Sequence, residues 1–99
     1  MDEQKIAKAL QIFSNMLRSE LHSELDGLFS WAMLFFNHDF KRPELKFETL
    51  AGPNRVWWNG KVWVIILPKG PDGQIEAKPG QLAETLERVK LQARKPGMW

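Results

Sequence analysis

"RVWWNGKVWVIILP", residues 55–68, decides how the middle of this chain folds, because it holds three of the five tryptophans and an Asn-Gly pair between two apolar runs. Asn59 and Gly60 tolerate the positive φ that a two-residue type I′ hairpin requires. That turn sets Trp58 opposite Lys61, Trp57 opposite Val62 and Val56 opposite Trp63. Side chains alternate along a strand, so Val56, Trp58, Lys61, Trp63, Ile65 and Leu67 share one side. Arg55, Trp57, Val62, Val64 and Ile66 take the other. Both sides are apolar, so the sheet is expected to be a middle layer covered on each face, with one indole left over for a partner.

The neighbouring segments extend the sheet. "ELKFETL", residues 44–50, alternates Leu45, Phe47 and Thr49 against Glu44, Lys46 and Glu48, the period of a half-buried strand, and "AGPN" turns the chain after it. A short edge strand is expected over residues 74–77, between two Pro/Gly turns. A C-terminal helix over residues 81–94 carries Leu82, Leu86, Val89 and Ala93 on one stripe, with Arg88, Lys90 and Arg94 pointing elsewhere.

Upstream, Ile6, Leu10, Phe13, Leu17, Leu21, Leu25, Leu28, Ala32 and Phe35 advance by threes and fours, which draws one stripe down a helix. The stripe fits one helix of about 35 residues or two helices. Ser23 and Asp26 resemble a capping box and Gly27 lowers propensity, which favours two helices with a break at His22–Ser23. The second, "LFSWAMLFFN", is apolar on more than one side and is expected to lie under the sheet or in a dimer interface. Asn37, His38 and Asp39, followed by Pro43, end it.

The resulting expectation is an α+β domain over residues 1–95 with a short tail at 96–99. It has two N-terminal helices, or one long broken helix, then a small antiparallel sheet of about three to four strands centred on the tryptophan hairpin, and a C-terminal helix.

Composition narrows the function. Ninety-nine residues at 43% hydrophobic support one modest core. Absent cysteine excludes disulfides, thiolate zinc sites and thiol catalysis. The N-terminus is acidic with helical periodicity, unlike a secretory signal, and the longest apolar runs are far shorter than a membrane span. A cytoplasmic protein is expected. His22 and His38, the two histidines, have too few neighbouring ligands for a metal site, and no Walker loop or G-x-S-x-G occurs. A non-enzymatic protein without cofactor or metal is therefore expected.

Tryptophan and arginine dominate binding hot spots, which makes Arg55, Trp57, Trp58 and Lys61 the candidate partner-binding patch. The leading expectation is a small regulator or inhibitor acting by protein–protein binding, as a homodimer, with a phage or mobile-element inhibitor of a host complex as the class analogy. The alternative is a nucleic-acid-binding module. Residues 41–99 hold eleven Lys/Arg against six Asp/Glu, and Lys69, Arg88, Lys90, Arg94 and Lys95 could neutralise phosphates while a hairpin indole stacks on bases. Finally, R-x-x-W-N-G-K at residues 55–61 resembles a motif near the start of a family of small phage proteins that sequester nucleotide signals made by bacterial immune systems. That resemblance covers seven of the 99 residues and implies a third reading, capture of a nucleotide-like ligand.

Overall fold

A computed structural model describes residues 2–21, 32–49, 51–68 and 73–92, the side chains of 90–92 excepted. The order is α1 (Glu3–Leu21), β1 (Met33–Asn37), β2 (Arg42–Thr49), β3 (Gly52–Trp58), β4 (Trp63–Ile66), β5 (Gln74–Ala77) and α2 (Leu82–Gln92). The five strands form an antiparallel meander in sequence order. The architecture is α+β.

The first helix forms as its periodicity predicts. Asp2 caps it, its Oδ1 accepting the Lys5 N–H at 2.8 Å, and Phe13, Leu17 and Leu21 bury the stripe. The second helix does not reach its expected end, because Met33–Asn37 is strand β1. A single helix of the whole stretch is excluded for the same reason. The expected break at His22–Ser23, and residues 28–31 of "LFSWAMLFFN", lie outside the described residues.

The cause is non-local. A short apolar run satisfies a helix or a strand equally, and here β2 supplies a pairing partner, with Met33 opposite Lys46 and Asn37 opposite Arg42. Asn37, His38 and Asp39 do stop an element, but that element is a strand. Asn37 Oδ1 accepts the N–H groups of Asp39 and Phe40 at 3.0 and 3.2 Å, which folds a hairpin turn back into β2. The sheet thereby gains a strand over the expected three to four.

The tryptophan hairpin forms in a shifted register. Trp58 faces Trp63, not Lys61; Trp57 faces Val64 and Val56 faces Ile65. Residues 59–62 make the loop, held by the Asn59 N–H donating to the Val62 carbonyl at 3.2 Å. The Asn59 side-chain oxygen accepts the N–H groups of Lys61 and Val62, both at 2.9 Å. The longer loop brings two indoles together, their centroids 5.2 Å apart, and leaves Lys61 in water. Because the shift is by two residues, strand residues keep their expected sides. Only Lys61 and Val62 leave the ladder.

One side of the sheet is the core. Leu45, Phe47, Val56, Trp63, Ile65 and Ala77 pack with Phe13, Leu17 and Leu21 of α1 and Leu82, Leu86 and Val89 of α2. Phe13 meets the Trp63 ring edge-to-face at 5.8 Å. Glu20 ties the helices together, its carboxylate accepting the N–H of Gly80 at 2.7 Å and of Leu82 at 3.3 Å, so that α1 caps the start of α2. The edge strand over 74–77 forms where the sequence places it, and the C-terminal helix runs Leu82–Gln92, with residues 93–94 of its expected span outside the described residues. The sheet is not a covered middle layer among the described residues, since both described helices lie on the same face.

Candidate functional site

The opposite face presents, by register, Met33 beside Lys46 beside Arg55 beside Ile66, and, one pleat along, Phe35 beside Glu44 and Trp57 beside Val64. Met33, Phe35, Lys46, Pro53, Arg55, Ile66, Leu67 and Pro68 line an open concavity of about 570 Å³ on this face. Apolar side chains form its floor and two cations its polar part. Met33 remains 56% exposed, which leaves its thioether available for contact.

Beside the concavity lies an ionic cluster. Glu44 is fully buried, although its register places it on the side of the sheet opposite the described helices. Its Oε2 accepts from Arg42 Nε at 2.8 Å and from Asn37 Nδ2 at 2.9 Å. Its Oε1 lies 3.3 Å from Arg55 Nη1, an ion pair without hydrogen-bond alignment. A buried carboxylate is tolerable only with such partners, and here one negative charge is shared by two guanidinium groups. The Arg42 guanidinium in turn lies 3.5 Å from the Trp57 ring centroid and 4.6 Å from that of Phe40. Contact with an indole and a phenyl ring adds cation–π attraction to the charge pairing.

The expected patch is divided by this geometry. Arg55 and Trp57 share the open face. Trp58 points to the other side, half-buried against Trp63 and the core, and Lys61 is exposed in the hairpin loop. Of the basic set for nucleic acid, Arg88 is exposed on α2, which packs on the side of the sheet opposite Arg55. Lys69, Arg94, Lys95 and the Lys90 side chain lie outside the described residues, as does the tail at 96–99. His38 is exposed against the Phe36 ring, and His22 is outside the described set.

The residues that the sequence reading passed over are Arg42, Glu44, Lys46, Met33 and Phe35. A signal for three of them was present: Glu44 and Lys46 alternate with Leu45 and Phe47, and Arg42 continues the same phase, so all three share the side opposite the core. Nothing in one strand's sequence could add that Arg55 and Trp57 would arrive beside them.

Among the described residues no group of three His, Cys, Asp or Glu side chains could hold a metal ion, and no helix is long and apolar enough to cross a membrane. Comparison with protein families, characterised proteins and solved structures finds no match for this chain.

Proposed function

We propose that this protein is a non-enzymatic binding module that engages another protein through the face of its sheet opposite the described helices, centred on Arg55 and Trp57. The observation that carries this reading is the placement of Met33, Phe35 and Ile66 with Lys46 and Arg55 around one open concavity, on the side the described helices leave bare. An apolar floor with arginine and aromatic side chains at its margin is the composition of a protein-contact hot spot. A rigid sheet holds those groups in place at little ordering cost on association.

A different protein fits this face better than a second copy of the chain. Face-to-face self-association with the two-fold axis through the concavity would set Lys46 and Arg55 of each copy against their counterparts, a like-charge arrangement that opposes docking. The homodimer expectation rested on an apolar second helix, and residues 33–37 of that segment are strand.

Affinity capture from cells that express the protein tests the reading. A Lys46→Glu/Ile66→Lys variant, altered on the open face, is expected to lose the captured partner. An Ile12→Glu/Arg88→Glu variant, altered on the helix side, is expected to keep it. Circular dichroism checks that both variants fold. Loss confined to the helix-side variant would overturn the proposal.

A further inference from the structure

We infer that the occupant of the open face is an acidic–apolar segment of the partner, received by Lys46 and Arg55 above an apolar floor, with Glu44 as the buried residue that positions the arginines. This inference rests on the protein-binding reading and specifies its chemistry. Charge complementarity carries it. Lys46 and Arg55 are the charged residues among those lining the concavity, and both are cations. Two other carboxylates share this side without lining the concavity: Glu48, opposite Pro53 at its margin, and Glu76 on the edge strand β5. Glu44 is fully buried and shared by two arginines, so the cluster it organises keeps a positive excess.

The geometry suits carboxylates in particular. A guanidinium carries five N–H donors, and Glu44 engages one nitrogen of Arg42 and one of Arg55. The remaining donors meet no acceptor among the described residues, and the buried carboxylate draws both guanidinium groups to one place before any ligand arrives. Met33, Phe35, Pro53, Ile66, Leu67 and Pro68 offer an apolar seat beside them, sized for one or two large side chains. An extended segment that alternates or intersperses acidic and apolar residues satisfies both parts together.

Nucleic acid is disfavoured by the same contacts. A base stacking on Trp57 would compete with the Arg42 guanidinium, which lies 3.5 Å from the ring centroid. Trp58 and Trp63 pack on each other and on the core.

Fluorescence anisotropy with defined probes tests this. The probes are a labelled Asp-Asp-Leu-Phe-Asp-Asp peptide, the same peptide with every Asp replaced by Ser, the same with every Asp replaced by Lys, and a single-stranded oligothymidylate. The Asp peptide is expected to bind about tenfold or more tightly than the Ser peptide, and to weaken severalfold between about 50 and 300 mM salt. Arg55→Gln is expected to weaken the Asp peptide by about fivefold while leaving the Ser peptide unchanged, a split that general loosening of the fold would not produce.

Lys46→Glu with Arg55→Gln should reverse the preference between the Asp and Lys peptides, which no misfolded variant could mimic. Equal binding of Ser and Asp peptides, preference for the Lys peptide or oligothymidylate, or binding of none of the probes would overturn the inference. In each of those cases, continued loss of the captured partner in Lys46→Glu/Ile66→Lys would leave the sheet-face reading standing and remove only the acidic occupant. If that variant retains its partner, the sheet-face reading falls as well.

Discussion

Glu44→Gln probes the ionic cluster most sharply, because the substitution preserves shape and removes one charge. Glutamine offers a single acceptor oxygen where the carboxylate has two. If that oxygen keeps the 2.8 Å and 2.9 Å contacts to Arg42 and Asn37, the amide NH2 is left facing the Arg55 guanidinium, donor against donor. The bond to Arg42 also loses its ionic partner, and charge-assisted bonds of this kind contribute about 1.5–3 kcal/mol. Breaking a buried pair costs about 3–5 kcal/mol when the surviving charge stays buried. Here the arginine side chains are 19% and 33% exposed and can turn toward water, which lowers the figure.

A loss of about 2 kcal/mol follows, or about 10 °C in Tm for a domain of this size. Urea unfolding followed by tryptophan emission measures it. A double-mutant cycle with Arg42→Ala should return about 1–2 kcal/mol of coupling. Stability within about 0.5 kcal/mol of wild type, together with zero coupling, would refute the claim that Glu44 organises the two arginines.

Three further outcomes follow from contacts elsewhere. Gly52→Ala should destabilise by about 2 kcal/mol in the same urea assay, because Gly52 has φ of 122° and an added Cβ would sit 3.2 Å from Pro68 Cβ. Glu20→Ala should cost about 1–2 kcal/mol, and Glu20→Gln less, since the amide oxygen can still accept from Gly80 or Leu82; faster amide exchange in the first turn of α2 would report the lost cap. Arg42→Lys should cost about 1 kcal/mol in thermal unfolding despite conserving charge, because an ammonium cannot both stack flat on Trp57 and donate in the guanidinium geometry to Glu44.

Local pattern carried the helices and the hairpin strands, and its failures are instructive. Phe13, Leu17 and Leu21 on α1, and Leu82, Leu86 and Val89 on α2, recur at spacings that only a helix can bury on one side. The alternation of Leu45 and Phe47 reads unambiguously as strand. Met33–Asn37 was misread because five residues cannot separate a helical stripe from a strand; the pairing with β2 that decides it lies beyond the local window. Asn59-Gly60 correctly marked a turn, but the cross-strand indole pair selected the loop length, and only the even shift preserved the facing of Trp57 and Trp63.

The site was half legible for a related reason. Arg55 and Trp57 stood out by residue type, whereas the importance of Glu44 depends on three partners drawn from β1, β2 and β3. Alternation assigned Glu44 to a solvated face, and it does occupy the side of the sheet opposite the described helices. Its complete burial, and its pairing with Asn37, Arg42 and Arg55, are set by strand pairing that periodicity cannot reveal.

Site-specific photo-crosslinking tests the central claim most directly. A photoreactive phenylalanine is placed singly at Lys46 or Ile66 on the open face, at Ile12 or Arg88 on the helix side, and at Lys61 in the hairpin loop, and each protein is irradiated in the cells that express it. The account predicts one discrete adduct with a different protein from Lys46 and Ile66, and none from Ile12 or Arg88. Adducts arising only from Ile12 and Arg88, or from Lys61 alone, would contradict it by placing the partner away from the face opposite the described helices.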